Sequence, residues 1–198
     1  MCGRYEISVQ PEKLVNRFKL SGSPPEPSGY EIRPGSRALV INADRQPLLR
    51  GWGLRVSWNN QPLINARAET LTSKKSFRPW LENRCLVPAS AYFEWRKEGK
   101  AKLKNRIGRK DGEPIAFAGL MDRENFTIIT CRPVPAIARI HNRMPVILKP
   151  RAEGMWLDGT LAFGEAAAFL VPFDDSPLKA EEEVATGYQP DLFRKTRP

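Results

Sequence analysis

Apolar residues along the 198-residue chain recur at two spacings. Between residues 11 and 18, Leu14, Val15 and Phe18 fall on one side of a helical wheel, with Ser8 and Pro11 ahead of them as start signals, which predicts a short amphipathic helix. Three further helices are predicted over 73–81, 134–140 and 151–157. The other apolar runs are brief, β-branched or aromatic, and bounded by Gly or Pro; they predict strands over 38–42, 48–54, 64–68, 85–87, 91–96, 115–120, 126–131 and 145–148. Pro24, Pro25 and Pro27 make 21–28 a loop, and 43–46 reads as a turn. Many short strands with few helices predict an α+β fold, a mostly antiparallel β-sheet core with a few peripheral helices. No repeat, low-complexity tract or linker divides the chain, so residues 1–198 read as a single domain.

Alternation then assigns polar side chains to faces. In residues 63–69, Asn65, Arg67 and Glu69 share one face, and Ile64, Ala66 and Ala68 share the other. Glu94 lies with Tyr92 and Arg96, opposite Phe93 and Trp95. A carboxylate set among aromatics is poorly solvated, and partial burial raises its proton affinity toward neutrality, which suits a general acid and base. A structural ion pair with a neighbouring Arg is the alternative reading. His141, the single histidine, stands after a predicted helix and before a predicted strand, where a side chain with an ordinary pKa of about 6.5 can shuttle a proton. A satisfied polar residue is the alternative there.

Composition changes the picture in three ways. Lys and Arg outnumber Asp and Glu by 32 to 22, a net charge of +10 that favours polyanions, nucleic acid first among them. Cys2, Cys85 and Cys131 are odd in number and widely spaced, with no CxxC and one His, so neither a disulfide framework nor a zinc site is supported. No cofactor or metal is called for, and reduced thiols fit a cytoplasmic protein. There is neither a cleavable signal nor an apolar run of about 18 residues, so a soluble protein is expected.

The start of the chain, Met1-Cys2-Gly3-Arg4-Tyr5, carries distinctive chemistry. A small residue after the initiator Met is the situation in which that Met is normally removed, leaving an N-terminal cysteine. Its thiol and amine titrate near neutrality, at about 8.5 and about 7.7–8.0 when unperturbed. An aldehyde meeting both can form an imine with the amine and then close a five-membered thiazolidine with the thiol. The plainer alternative is an ordinary Cys near a frayed terminus.

Taken together, the motifs resemble the SOS response-associated peptidase (SRAP) family. They are Met1 to Tyr5, Tyr30 to Pro34, Trp52-Gly53-Leu54 with Trp58, Asn65 to Thr70, Phe77-Arg78 and Arg84 to Ala89. Phe93-Glu94-Trp95, Ala118-Gly119-Leu120, Ile129-Thr130 and His141 to Pro145 complete the set, in family order up to about residue 148. The resemblance implies a pseudo-barrel-like fold and covalent trapping of abasic sites in single-stranded DNA, without cofactor, obligatory protein partner or membrane. It implies that Cys2 crosslinks, Asn65 holds the terminal amine or substrate, Glu94 is the acid and base, and His141 donates the proton that opens the deoxyribose ring. Met1 removal is implied to be autocatalytic. DNA contacts are expected from Gly3, Arg4, Pro34, Trp52, Arg67, Arg78, Thr130 and Arg143, with Arg4, Arg67 and Arg143 on phosphates and Trp52 or another exposed aromatic stacking on bases. Trp58, Trp80 and Trp156 are assigned to the core, and 96–110 to a basic hairpin. A monomer in the cytoplasm of a bacterium or phage host, nucleoid-associated when bound to DNA, is expected.

Glu31 stands where the family usually has Asn, and an acid there repels phosphate. Asn142 replaces Asp, Cys131 replaces Thr, the likeness fades after about residue 150, and 187–198 reads as a basic tail. Two other classes stay open. One is a noncovalent reader of single-stranded or modified DNA, for which Cys2→Ala leaves function intact. The other is an N-terminal-nucleophile peptidase or amidase, which turns over.

Overall fold

The computed structural model describes residues 2–26, 29–174 and 177–183. In chain order the elements are β1 (Tyr5–Glu6), α1 (Pro11–Phe18), β2 (Glu31–Ile32), β3 (Arg37–Ile41), β4 (Pro47–Trp52), β5 (Leu54–Val56), β6 (Asn59–Leu63) and β7 (Asn65–Arg67). After two 3₁₀ segments come β8 (Arg84–Ala89), β9 (Ala91–Glu98), β10 (Ala101–Arg109), β11 (Ile115–Met121), β12 (Asn125–Cys131) and α2 (Pro135–Ala138). The described residues finish with β13 (Met144–Pro145), α3 (Pro150–Leu157), α4 (Phe163–Ala166) and β14 (Leu178–Glu182).

Five strands close on themselves. β11 pairs with β8, β8 with β3, β3 with β4, β4 with β12, and β12 returns to β11; only the β4–β12 ladder runs parallel. Closure satisfies backbone groups that an open sheet would leave at its edges. It also brings main chains close at Gly119, where a Cβ would stand 2.8 Å from the Cys85 Sγ and 3.0 Å from the Thr127 carbonyl oxygen. β12 carries β7 and β13 as further partners, which places Asn65 opposite Ile128 and Met144 opposite Cys131.

A second, antiparallel sheet in the order β14-β10-β9-β1-β2 joins this barrel. Its inward aromatics are the junction: Tyr5 lies opposite Tyr92 in the β1–β9 ladder, and both rings meet Phe117 of β11 edge-on at 5.8 and 6.0 Å. Trp52 completes the joint, 1 % exposed, 5.2 Å from Tyr5, stacked on Phe126, its indole N–H donating to the Ile64 carbonyl at 2.8 Å. The start of the chain is thus an inner strand of a sheet.

Helices brace the outside. α1 buries Leu14 and Phe18, and its Arg17 donates to both Glu153 carboxylate oxygens on α3 at 2.9 and 2.6 Å. Buried Arg84 donates to the Trp156 carbonyl, an acceptor that the end of α3 leaves open, and to the Leu161 carbonyl beyond the helix.

The α+β architecture and α1 match the sequence expectation, and α3 differs from its prediction by one residue. The helix expected over 73–81 is instead a 3₁₀ segment at Lys75–Trp80, because Pro79 inside it has no N–H to continue an α-helix. The strand expected over 64–68 stops at Arg67, where a 3₁₀ turn at Ala68–Thr70 begins and takes Glu69 off the strand. The helix over 134–140 contracts to α2, and 145–148 to the two-residue β13. The tail expected over 187–198 lies outside the described residues.

Candidate active site

Cys2 is fully buried just ahead of β1. Asn65, the first residue of β7, donates its Nδ2 to the Cys2 carbonyl at 2.8 Å. Its Oδ1 is buried and has no hydrogen-bond partner among the described residues. The Cys2 Sγ stands 3.9 Å from the Arg4 carbonyl oxygen, and burial, reinforced by the nearby Glu94 charge, pushes the thiol well above its ordinary range. At neutral pH this thiol keeps its proton.

Glu94 lies on β9, two residues beyond Tyr92 on the same face, and is 3 % exposed. Burial pushes its carboxyl up to about 7, so it can both hold and release a proton near neutrality. His141 lies in the turn between α2 and β13, with its Nδ1 3.6 Å from Glu94 Oε1. That Nδ1 lies 3.1 Å from both the backbone nitrogen and the carbonyl oxygen of Arg143, so it accepts from the one or donates to the other according to the tautomer. Burial lowers the His141 pKa, so the imidazole is neutral while Glu94 is poised. Cys2, Asn65, Glu94 and His141 thereby converge from four separate stretches of chain.

The charged residues around them are arranged differently from the sequence expectation. Arg143 makes a two-pronged pair with Glu69 at 2.8 and 2.9 Å, and its Nη2 also donates to the Thr130 carbonyl at 2.7 Å. Those hydrogen bonds hold Glu69 below its ordinary pKa. Thr130 is itself fully buried and donates its hydroxyl to the Ala66 carbonyl at 3.3 Å, so it supports the Arg143 loop and offers no surface. Arg4 pairs with Glu31 at 3.3 Å and lies over the Trp95 ring at 5.1 Å. Glu31 also meets Arg33 and Lys104 at 3.0 and 3.3 Å, so this acid is neutralised by three cations. Gly3 is half-buried, and Pro34, Arg67 and Arg78 are exposed.

Trp52 needs correction as a stacking residue. It is buried in the barrel joint because its indole N–H has a carbonyl partner and its ring has aromatic ones. The exposed tryptophan is Trp58, expected in the core but 64 % exposed at the tip of the β5–β6 hairpin; Tyr30, ahead of β2, is exposed as well. With Trp80, Arg55 and Lys75, Trp58 lines a shallow cleft of about 420 Å³. A second cleft, of about 390 Å³, is lined by Glu94, Trp95, Lys97, Lys102 and His141. The two lysines carry no motif of their own and are brought to this cleft by strand register. No cluster of three metal-ligating His, Cys, Asp or Glu side chains occurs among the described residues, and no helix there is long and apolar enough to cross a membrane.

The model of one protein family, SOS response associated peptidase (SRAP), matches residues 1–186. The chain belongs to the SRAP family. The SRAP match extends well past the motifs, which end near residue 148, and takes in α3, α4 and β14. The chain is 37 % identical over 205 residues to Abasic site processing protein YoqW of Bacillus subtilis (strain 168), covering 91 % of each. It is 34 % identical over 186 residues to Abasic site processing protein YedK of Escherichia coli (strain K12), covering 84 % of each. Among solved structures, the X-ray crystal structure of a protein from Bacteroides thetaiotaomicron superposes with a TM-score of 0.83 at 28 % identity, over 93 % of each chain.

Proposed function

We propose that this protein recognises abasic sites in single-stranded DNA and traps them covalently through Cys2 once Met1 has been removed. It acts as a monomer in the cytoplasm, without a cofactor or protein partner. The observation that carries the reading is the junction of Cys2, held by Asn65 through its carbonyl, with the Glu94–His141 pair at the floor of an open cleft. Names of relatives such as YoqW and YedK support the lesion class.

Each residue then has a step. An abasic sugar is mostly a closed hemiacetal; the proton held by the Glu94–His141 pair passes through His141 to the ring oxygen while the C1′ hydroxyl gives its proton to Glu94, which frees the C1′ aldehyde and leaves Glu94 protonated and His141 neutral. The Cys2 amine, which can donate to the buried Asn65 Oδ1, adds to C1′. Protonated Glu94 delivers its proton to the resulting hydroxyl, water leaves, and a protonated imine remains. Glu94, now a carboxylate, takes the Cys2 thiol proton while sulfur bonds C1′, which closes the thiazolidine with its N–H in place and leaves Glu94 protonated again. A thiol whose pKa is raised by burial fits this order, amine first and sulfur second. The adduct has no imine left to promote strand cleavage. Single-stranded DNA suits the site because the sugar must be splayed into a cleft, and Trp58 is an exposed ring on which a base can stack. Removal of Met1 is assigned to the same site, with Glu94 as base.

The test is a denaturing gel of protein with single-stranded DNA bearing one abasic site, beside intact DNA and Cys2→Ala, with mass spectrometry of the N-terminus. A denaturation-resistant band that needs both Cys2 and the lesion, on a chain lacking Met1, is expected. A processed chain that forms no such band is instead a noncovalent reader, and turnover of an amide substrate would make it an amidase.

A further inference from the structure

Lys97 and Lys102 stand directly opposite each other in the β9–β10 ladder. Side chains so placed have Cβ atoms roughly 4.5–5.5 Å apart, and like charges there repel. The cations next along the two strands are neutralised, Arg96 by Glu98 and Glu182 at 2.8 and 2.9 Å and Lys104 by Glu31 and Glu183 at 3.3 and 2.8 Å, while Lys100 is exposed in the turn. Lys97 and Lys102 pair with no carboxylate among the described residues, although acids lie on both sides of them. Both are exposed, and both line the cleft that holds Glu94 and His141. Of the three arginines first expected to meet phosphate, Arg4 and Arg143 are engaged by Glu31 and Glu69, and Arg67 is exposed on β7.

We propose that Lys97 and Lys102 together grip one backbone phosphate next to the trapped sugar. The inference rests on the abasic-site reading above. A sugar whose C1′ reaches Cys2 carries a phosphate on each side, and one of them must lie at the cleft mouth. A single anion between two ammonium groups relieves their repulsion and supplies the charge that the fold withholds. The pair therefore acts in binding and leaves the bond-forming steps to Cys2, Glu94 and His141.

The experiment separates binding from chemistry. Affinity is read by fluorescence anisotropy on single-stranded DNA carrying a tetrahydrofuran abasic analogue, which has no aldehyde. Crosslinking is read on the natural lesion at saturating DNA. Lys97→Gln/Lys102→Gln is expected to weaken affinity at least fivefold at 0.1 M salt, to reduce the slope of log affinity against log salt by about 0.7 for the one phosphate lost, and to leave the saturated crosslinking rate within twofold. Lys110→Gln, a single charge removed at the far end of the hairpin, serves as the control with little change. A methylphosphonate at one of the two flanking linkages should weaken wild type by the same factor and the double variant no further. Unchanged affinity and slope in the double variant, or methylphosphonate losses that add to the lysine loss at both linkages, overturns the proposal. If wild type forms no adduct on the natural lesion, the trapping reading fails, while the anisotropy series still decides the lysines.

Discussion

Glu94 holds its proton more tightly folded than unfolded, because burial pushes its pKa up to about 7 from an ordinary value of 4.5. Between those two values the native state binds the proton and the unfolded chain has released it, so this group's contribution to stability is best below about pH 4.5 and declines as pH rises toward 7. Each unit of such a shift is worth about 1.4 kcal/mol. Glu94→Gln removes the penalty: its melting midpoint should exceed wild type by several degrees at pH 8.5 and match it near pH 4, while adduct formation falls roughly 10²–10⁴-fold. A midpoint difference that is the same at both pH values would refute the buried-acid account. Asn65→Ala leaves the Cys2 carbonyl without its donor, and a loss of about 1–3 kcal/mol in chemical unfolding is expected, together with slower crosslinking. Cys2→Ser keeps the amine and loses the sulfur. Under the proposed reading it should give an adduct that survives a denaturing gel only after borohydride reduction.

At the scale of elements, the barrel closure is tested at Gly119. A methyl group there meets the Cys85 Sγ and the Thr127 carbonyl on two flanking strands, neither of which can withdraw without opening a ladder. Gly119→Ala should destabilise by about 1–3 kcal/mol in urea denaturation, whereas Gly22→Ala, with open space around it, should be near neutral. Strands with apolar runs, such as β8, β11 and β12, were legible because burial on both faces leaves a continuous apolar signature. β10 was legible only as a basic hairpin, since a strand whose outer half is Lys-rich takes its order from backbone pairing with β9 and β14. Of the site, the alternation around Glu94 and the loop position of His141 could be read locally. The roles of Glu31 and Glu69 as partners of Arg4 and Arg143 could not, because those pairs join residues 27 and 74 positions apart. Trp52 and Trp58 were exchanged for a similar reason: periodicity does not say which tryptophan finds a carbonyl for its N–H.

Across the whole molecule, the excess of ten positive charges is distributed by the way the acids are spent. Glu6, Glu69, Glu82 and Glu153 each meet an arginine in the fold, so the surplus falls on exposed side chains such as Arg67, Arg78, Lys97 and Lys102. The placement of β1 between β9 and β2 bears on a different property. Cys2, Cys85 and Cys131 are all buried thiols, yet their releases should differ. Reaction with a disulfide dye in the absence of denaturant should be slow for Cys85 and Cys131, which wait for the barrel to open, and faster for Cys2, which needs only a local opening just ahead of β1. Cys2 reacting no faster than the two interior thiols would mean that only global unfolding frees it, and would count against trapping by the native protein.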